Sequence, residues 1–334
     1  MLLNKVSSVV CFIFVVLAVS LSHAQNFVER KEVRAYLDEL SGSYGFSRND
    51  LEKILSDHKP NKRIIDLISR PSEKRLQWHE YRKILVDEAR IELGVEFWNE
   101  NIGALNEAER IYSVAPEIVV AIIGVETRYG KIMGSYPVVE ALSTLAFDYP
   151  PRAKFFRKEL TEFFILTRDQ KLDPSNLTGS YAGAMGYGQF IPSSYRAYAV
   201  DFDGDNFKDI WNNKADAIGS VANYFSRHGW QGDGPVIVRG YETSPNLDVA
   251  ANESLEPKFL AGDLRKRGIG NNLADNTKVA LFEMQGERGR EYWLGLSDFY
   301  VITRYNRSSM YALAVFQLSQ AIKQERIDLL NSLN

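Results

Sequence analysis

Residues 116–130 of this 334-residue chain read PEIVVAIIGVETRYG. Proline suits the first turn of a helix, where its missing N–H would have no partner, so Pro116 is predicted to begin a helix. The residues that follow are apolar on nearly every side, which is typical of a buried helix and not of a surface helix. Gly130 supplies a stop signal. The stretch therefore predicts a helix at the centre of the fold, with the carboxyl group of Glu126 in its last turn.

Glu126 is predicted to keep its proton near neutral pH. Apolar neighbours and the negative end of the helix dipole both disfavour the carboxylate, so both raise the expected pKa of the side chain. A carboxyl group that stays protonated can act as a general acid. Arg128 would oppose this effect if it folded back onto the carboxyl group. The alternative is structural: Glu126 could form a packing ion pair with Arg128 or Arg152.

A second informative segment follows about fifty residues later, where residues 179–190 read GSYAGAMGYGQF. Ser180 and Gln189 offer hydrogen-bonding groups, Phe190 offers a flat apolar face, and the glycines allow close approach of the backbone to a ligand. Sugars need this mixture, because their ring faces stack on aromatic groups while their hydroxyl groups need polar partners. We call residues 179–190 the platform segment. The alternative is a glycine-rich loop that packs helices, with incidental polar residues.

The rest of the sequence predicts a mainly α (α+β) protein. Helical periodicity extends from Phe27 to about Ala115 and includes longer helices over 78–94 and 95–112. Alternating β-branched residues with Gly, Asn and Pro turns follow, including strands over 279–284 and 291–303. The predicted parts are a helical N-terminal region (25–110), a core with both segments (111–232), a small antiparallel β subdomain (233–303) and a closing C-terminal helix (304–334).

The first 24 residues are predicted to be a secretory signal. Lys5 gives a basic start, a thirteen-residue apolar run follows, and small residues precede residue 25. The run is shorter than the ~20 residues of a membrane span, although retention as an uncleaved anchor stays open. Cys11, the only cysteine, lacks the small preceding residue of a lipoprotein signal. Removal of the signal would leave no thiol, which excludes disulfides, zinc–thiolate sites and cysteine nucleophiles.

The composition argues against nucleic acid as a partner and against a histidine metal site. The formal net charge is −3, and no basic face of the kind that binds nucleic acid is evident. The four histidines, at positions 23, 58, 79 and 228, do not have the spacing of metal ligands.

Two strings, VAIIGVETRYG (120–130) and GSYAGAMGYGQFIPSSYRAYAVDFDGD (179–205), resemble those of the B-type membrane-bound lytic murein transglycosylases. The resemblance extends from about Trp78 to Asn306, and it implies a lysozyme-like catalytic core over 111–232. It also implies that Glu126 is the single catalytic acid and base. Phe155 and Pro151 depart from the family pattern, which often has a hydroxyl-bearing aromatic residue and a basic residue there. The implied sugar-binding residues are Tyr81, Arg152, Ser180, Gln189, Phe190, Tyr224, Tyr305, Asn306 and Tyr311.

The resemblance implies a periplasmic enzyme that cleaves the β-1,4 bond between N-acetylmuramic acid and N-acetylglucosamine in peptidoglycan. Cleavage would be non-hydrolytic, because the muramic acid C6 hydroxyl attacks C1 and leaves a 1,6-anhydro end. No cofactor is expected for this chemistry. The partners would be glycan strands, with cell-wall synthesis or division proteins left unspecified. Two alternatives stay open: a lysozyme-type hydrolase of the same glycan, and a catalytically idle peptidoglycan-binding scaffold.

An acidic loop over residues 201–212 reads DFDGDNFKDIWN and resembles an EF-hand. Two positions depart from that pattern: Asn206 replaces the usual glycine, and Asn212 replaces the usual bidentate glutamate. The second change removes a charge, so weak affinity for Ca²⁺ is expected, with a structural role. The family resemblance also places a calcium loop here, and the alternative is a solvated acidic turn. The predicted ligands are Asp201, Asp203, Asp205, the Phe207 carbonyl and Asn212.

Overall fold

The computed structural model describes residues 26–56, 58–70, 76–244, 247 and 249–332. The predicted signal over residues 1–24 lies outside this part of the chain. The described residues up to Ser56 form one compact unit, and those from His58 onward form a second. The described helices are α1 (Lys31–Tyr44), α2 (Arg48–Ser56), α3 (Lys62–Ile68), α4 (Trp78–Leu85), α5 (Glu88–Glu100), α6 (Ile102–Tyr112), α7 (Pro116–Thr127), α8 (Val138–Asp148), α9 (Ala153–Asp169), α10 (Pro192–Tyr198), α11 (Lys214–Arg227), α12 (Ala261–Lys266), α13 (Ser297–Tyr305) and α14 (Ser309–Ser332).

The first compact unit consists of a 3₁₀ turn and helices α1 and α2. Val33, Leu37 and Leu40 are fully buried at helical spacing along α1, and Leu55 is fully buried on α2. Gly45 ends α1 in the left-handed conformation, which glycine adopts without steric cost.

The second unit is built around α7. Pro116 is its first residue, and every residue from Pro116 to Gly124 is buried. The helix packs against α5, α6, α11 and α14, which surround it. This confirms the predicted central helix, although α7 ends at Thr127, earlier than Gly130. The reason is that Arg128, Tyr129 and Gly130 all have left-handed φ angles, of 51°, 60° and 87°.

The β-rich part of the second unit is a five-stranded antiparallel sheet with strand order β4-β6-β7-β3-β5. Its strands are β3 (Ile237–Glu242), β4 (Phe259–Leu260), β5 (Ile269–Gly270), β6 (Lys278–Gly286) and β7 (Gly289–Gly295). The two-residue strands β1 (Tyr136–Pro137) and β2 (Thr178–Gly179) form a separate pair. A small apolar core covers one face of the large sheet; it consists of Leu264, Ile269, Val279, Leu281, Tyr292 and Leu294. The sheet confirms the predicted antiparallel β component.

The predicted bounds were wrong in two parts of the chain. The strand predicted over 291–303 ends at Gly295, and its second half is helix α13, whose Asp298 accepts the backbone N–H groups of Gln231 (2.8 Å) and Gly232 (2.9 Å). The helices predicted over 78–94 and 95–112 are three helices, because the chain breaks before Asp87, which caps α5, and at Asn101. The predicted closing C-terminal helix is present as α14, which spans Ser309–Ser332.

The two compact units do not follow the predicted domain limits at 110/111 and 232/233, which stay predictions. Within the part of the chain that the structure describes, no helix combines the length and apolarity needed to cross a membrane.

Candidate active site

Glu126 lies half-buried in the last turn of α7 and meets a buried phenol. The hydroxyl group of Tyr311, on α14, donates a hydrogen bond of 2.5 Å to Oε1 of Glu126. Burial raises the pKa of Tyr311 well above its ordinary value, and the negative charge of Glu126 raises it further. Tyr311 therefore stays a proton donor to this carboxyl group throughout the physiological pH range.

Two other tyrosines named in the sequence analysis lie close enough to Glu126 or Tyr311 to interact with them electrostatically. Burial, and then the charge of Glu126, raises the pKa of Tyr305 well above its ordinary value. The proximity of Tyr81, on α4, contributes to the raised pKa of Tyr311. The structure thus places Tyr305 and Tyr311 near Glu126, from α13 and α14, and Tyr81 of α4 near Tyr311.

Arg128, which could have neutralised Glu126, is held by another carboxylate. Its guanidinium group lies 2.7 Å from Oδ1 of Asp87. Asp87 also pairs with the buried Arg90 (2.9 Å), whose Nε donates to the carbonyl of Gly124 in the last turn of α7 (3.1 Å). Burial lowers the pKa of Arg90, and Asp87 opposes that shift. The Asp87–Arg90–Arg128 cluster anchors the end of α7 and engages Arg128 away from Glu126.

Arg152, the other candidate partner in the structural alternative, is exposed and lies over aromatic rings. Its guanidinium carbon is 4.2 Å from the ring centroid of Phe155 and 5.3 Å from that of Phe156. This position fits a surface contact to a ligand better than a packing ion pair with Glu126.

The platform segment folds into a tight loop with backbone bridges between Gly179 and Met185 and between Met185 and Phe190. The Ser180 hydroxyl oxygen accepts the N–H groups of Ala182 (3.3 Å) and Ala184 (3.1 Å), so Ser180 shapes the loop as well as offering a polar group.

The glycines of the platform segment approach other parts of the protein, which favours the alternative role given to them above. A Cβ atom on Gly186 would lie 2.3 Å from the carbonyl oxygen of Ile210, and φ at this position is +66°. A Cβ atom on Gly188 would lie 2.9 Å from the hydroxyl oxygen of Tyr305. Glycine is required at positions 186 and 188 because other parts of the protein pack closely there. The prediction had explained these glycines by the approach of a ligand.

Gln189 links the platform segment to the loop after α7. Its Nε2 donates to the carbonyls of Met133 (3.1 Å) and Gly186 (3.0 Å), and its backbone is left-handed, with φ of 50°. The side chain is therefore held at the surface between Glu126's helix and the platform segment.

An aromatic cluster supports the platform segment from below. The ring centroid of Phe190 lies 5.9 Å from that of Tyr224 and 6.0 Å from that of Tyr305, and the two tyrosines are 4.7 Å apart. The Tyr305 hydroxyl donates to the Gly188 carbonyl (2.5 Å), and the Tyr224 hydroxyl donates to the Arg304 carbonyl (2.6 Å). These hydroxyls hold the backbone, so both tyrosines act mainly as supports. Asn306 follows Tyr305 and is half-buried.

The acidic loop places the carboxylates of Asp201, Asp203 and Asp205 together and adds Asp216, which the sequence analysis missed. One carboxylate oxygen from each of the four lies within 4.8 Å of the others. Asn212 does not join them in this arrangement, because its amide group donates to Asp209 (3.2 Å). Asp216 lies in the first turn of α11, beyond the twelve-residue EF-hand pattern that guided the prediction.

Asp216 is fully buried and ties the loop together. Its two oxygens accept the backbone N–H groups of Phe202 and Asp209, both at 2.7 Å. Burial raises its pKa, as do the charges of Asp203 and Asp201, and the two N–H groups oppose the shift. Asn206 takes the left-handed conformation, with φ of 71°, as expected for a residue in place of glycine. Such a set of carboxylate oxygens fits a hard divalent cation.

Comparison of the chain with known proteins shows its family. The family described as "Transglycosylase SLT domain" matches residues 29–320. The chain belongs to the SLT transglycosylase family. It is 41% identical over 313 residues to membrane-bound lytic murein transglycosylase B of Escherichia coli (strain K12), covering 90% of this chain and 85% of that protein. The predicted resemblance to the B-type murein transglycosylases is therefore confirmed.

Solved structures of SLT transglycosylases share the fold. The crystal structure of soluble lytic transglycosylase SltB1 from Pseudomonas aeruginosa is 51% identical, with a TM-score of 0.85, and the match covers 88% of this chain and 99% of that one. The Escherichia coli lytic transglycosylase Slt35 in complex with calcium is 41% identical (TM-score 0.83; 90% and 95% covered). SltB3 from Pseudomonas aeruginosa, in complex with NAG-anhNAM-pentapeptide, is 29% identical (TM-score 0.77; 90% and 80% covered). The predicted mainly α, lysozyme-like fold class is confirmed.

In this SLT transglycosylase, three residues that hold parts of the site in place were not predicted from the sequence. Asp87 and Arg90 hold the end of α7 from α5, and His228 stacks on Tyr224 with ring centroids 4.0 Å apart. The weak signal for Asp87 was its position as a capping residue before an apolar helix. No local pattern pointed to Arg90 or His228.

Proposed function

We propose that this SLT transglycosylase cleaves the β-1,4 bond between N-acetylmuramic acid and N-acetylglucosamine in peptidoglycan without adding water. The observation that carries the proposal is the carboxyl group of Glu126, held by Tyr311 at 2.5 Å in a neighbourhood of neutral phenols. Glycosidases that use water deploy a second carboxylate to activate it or to form a covalent intermediate. Tyr305, Tyr311 and Tyr81 supply no such group.

Glu126 acts first as an acid. Its proton passes to the bridging oxygen as the bond from C1 of the muramic acid to that oxygen breaks. The resulting carboxylate accepts the hydrogen bond of Tyr311, and this bond is stronger to the charged form than to the neutral form. Tyr311 thereby favours the proton transfer that starts the reaction.

Glu126 then acts as a base. Its carboxylate takes the proton from the muramic acid C6 hydroxyl while that oxygen forms a bond to C1. One C–O bond breaks, one C–O bond forms, and Glu126 regains the proton that it gave away. The products are a 1,6-anhydro end and a free 4-hydroxyl on N-acetylglucosamine, with no water consumed.

The platform segment and its supports would hold the glycan beside Glu126. Ser180 and Gln189 offer polar groups at the half-buried surface, and Phe190 lies on the aromatic cluster beneath them. Arg152 and Asn306 are the remaining proposed contacts to the sugar chain. The SltB3 complex with NAG-anhNAM-pentapeptide supports a substrate of this class.

Replacement of Glu126 by Gln separates an enzyme from an idle scaffold. The amide is nearly isosteric and can still accept the hydrogen bond of Tyr311, so we expect Glu126→Gln to fold and to bind glycan strands. It cannot exchange a proton in this role, so turnover of purified sacculi should fall by at least the roughly 10²–10⁴-fold that acid–base catalysis contributes.

The matched control is Glu109→Gln, which makes the same chemical change at an exposed position on α6. It should release soluble muropeptides at the wild-type rate. A Glu126→Gln protein that kept more than about a tenth of the wild-type rate would show that Glu126 is not the acid. A wild-type protein that binds sacculi and releases nothing would establish the scaffold alternative.

We also propose that the acidic loop binds Ca²⁺, with Asp201, Asp203, Asp205 and Asp216 as side-chain ligands. Four clustered carboxylates repel one another, and a divalent cation offsets that repulsion. The Slt35 complex with calcium supports this choice of ion. The carbonyl of Phe207 remains a proposed ligand, and Asp216 replaces Asn212 in the proposed set. The bound ion would stabilise the segment that follows α10, with no part in the chemistry.

Export to the periplasm is part of the proposal, since peptidoglycan lies there. It is supported by the signal predicted over residues 1–24 and by the similarity to a murein transglycosylase named as membrane-bound. Protein partners among synthesis or division enzymes stay unspecified.

A further inference from the structure

A basic groove lies between helix α4 and the turn that joins β6 to β7, separate from the residues placed around Glu126. Its volume is about 390 Å³. Trp78, His79 and Arg82 line it from α4, Arg239 lines it from β3, and Arg288 and Glu291 line it from the β6–β7 hairpin. We call this set of residues, together with Glu287, the basic groove.

The two carboxylates of the basic groove are already paired. Glu287 lies 2.7 Å from the Lys83 ammonium group, and Glu291 lies 3.3 Å from the Arg239 guanidinium group. The pKa of Glu287 lies below its ordinary value, first because of the hydrogen bond from Lys83, and also because of the positive charge of Arg82. Each of the two carboxylates is thus paired with one basic side chain, so Arg82 and Arg288 give the groove a net positive charge.

Arg82 and Arg288 are the cations that remain. Arg82 directs Nε to Oε1 of Gln317 on α14 (2.5 Å) and forms no ion pair in the described part of the chain. Arg288, at the exposed turn, makes neither a hydrogen bond nor an ion pair with any described residue. This local excess of positive charge stands on a protein whose formal net charge is −3.

Helices α4 and α14 connect the basic groove to the catalytic site. Arg82 follows Tyr81 on α4, and Tyr81 lies near Tyr311, which donates to Glu126. On α14, Gln317 comes six residues after Tyr311, which at 1.5 Å per residue is roughly 9 Å along the axis. A group attached to a sugar beside Glu126 can span this distance, since three extended peptide residues reach roughly 10 Å.

We propose that the basic groove binds the carboxylates of the stem peptide that each N-acetylmuramic acid carries. This inference rests on the proposed function. The sugar rings of the glycan strand offer no negative charge to Arg82 and Arg288, whereas the peptide offers several carboxylates. Guanidinium and carboxylate groups pair in a planar, bidentate geometry that gives both affinity and orientation. The groove would therefore make the enzyme prefer peptide-bearing strands.

The test compares two soluble substrates made from the same sacculi: uncross-linked strands with their peptides, and strands from which an amidase has removed the peptides. For Arg82→Gln/Arg288→Gln we expect KM on peptide-bearing strands to rise roughly tenfold, with kcat kept. On the denuded strands the variant and the wild type should differ by less than about twofold. Added salt should raise KM on peptide-bearing strands for the wild type and have little effect for the variant.

Two further variants separate a binding role from a structural one. Arg290→Gln removes an arginine from the same hairpin outside the basic groove, so it should leave both substrates unaffected. Arg288→Gln alone removes no side-chain hydrogen bond or ion pair with a described residue, so the fold should be kept, and KM on peptide-bearing strands should rise by part of the tenfold effect.

The outcomes distinguish this inference from the proposed function. An Arg82→Gln/Arg288→Gln enzyme with the wild-type KM on peptide-bearing strands, or with an equal rise in KM on both substrates, would overturn the stem-peptide groove, although cleavage itself would continue. A wild-type protein that cleaves neither substrate would overturn the proposed function. Equal KM values of the wild type for both substrates would also contradict the groove.

Discussion

Two opposing influences act on Glu126. Burial among apolar residues and the end of the helix dipole favour the protonated acid, and the hydrogen bond from Tyr311 favours the carboxylate. The expected rise in the pKa of Glu126 stays a prediction. A residue that must give up a proton and take one back within a single turnover benefits from this balance, because neither state is trapped.

Tyr311→Phe tests the balance. Without the phenol the carboxylate loses a hydrogen bond to a charged group, worth about 1.5–3 kcal/mol, so kcat should fall by roughly 10- to 100-fold. The carboxylate is then harder to form, so the pKa of Glu126 rises and the acid stays protonated to higher pH. The alkaline limb of the kcat profile should therefore move to higher pH.

Tyr300→Phe is the control for this substitution, because Tyr300 also donates to a carboxylate, that of Glu256, at 2.9 Å on the surface. Its kcat and pH profile should equal those of the wild type. A Tyr311→Phe enzyme with the wild-type profile would show that the phenol plays no part in proton transfer.

At the scale of elements, the end of α7 is held by close packing as well as by the Asp87–Arg90–Arg128 cluster. Arg128 and Tyr129 both have positive φ angles, which cost non-glycine residues roughly 1–2 kcal/mol each. The buried Tyr129 compensates by donating to the carbonyl of Arg90 (3.0 Å) and by lying against Gly124. The position of Glu126 thus depends on a glycine two residues before it.

Gly124→Ala should damage this end of the helix. The new Cβ atom would lie 2.4 Å from the Tyr129 hydroxyl oxygen and 2.6 Å from the nearest ring carbon, so the buried ring must move. Overpacking of this kind costs about 1–3 kcal/mol, which would lower the melting temperature, and the shift of Glu126 would lower activity. Gly103→Ala is the matched control on α6, where nothing lies within 4 Å, and it should stabilise the protein by roughly 0.5–1 kcal/mol. Equal melting temperatures for the two variants would contradict this account of α7.

The acidic loop is a second element whose stability can be measured. A ligand that binds only the folded state stabilises it by about 2.7 kcal/mol at a hundredfold excess over Kd, so millimolar Ca²⁺ should raise the melting temperature. Asp201→Asn and Asp216→Asn should each reduce this rise, whereas Asn212→Ala should keep it, because Asn212 contacts Asp209 instead.

Identical melting curves in Ca²⁺ and in chelator would establish the solvated acidic turn. Loss of the rise in Asn212→Ala alone would restore the predicted EF-hand ligand set.

At the scale of the whole molecule, local sequence patterns predicted what depends on local chemistry. The apolar run before Glu126 indicated a buried helix, and the alternating β-branched residues and turn residues after residue 233 indicated an antiparallel sheet. The run Phe299–Thr303 was wrongly assigned to a strand, because β-branched and aromatic residues suit both a strand and a buried helix. The break at Asp87 separates α4 from α5, and helical periodicity alone does not show it.

Contacts between distant elements could not be predicted from the residues of each segment. Tyr311 and Glu126 lie 185 positions apart, and their hydrogen bond exists because α14 packs on α7. The family resemblance named both residues, but not their contact. Asp216 was not predicted as a ligand because it joins the acidic cluster from helix α11, outside the twelve-residue loop. The glycines of the platform segment were identified, but only the fold shows that they pack against Ile210 and Tyr305.

In the proposed reaction the substrate's own C6 hydroxyl, and not water, attacks C1. Digestion of sacculi in H₂¹⁸O, followed by mass spectrometry of the released muropeptides, distinguishes the two nucleophiles. We expect products that end in 1,6-anhydro-N-acetylmuramic acid, lighter by one water than lysozyme products and free of ¹⁸O at C1. Reducible ends that carry ¹⁸O would show that the enzyme is a hydrolase and that the mechanism derived from Glu126 and Tyr311 is wrong.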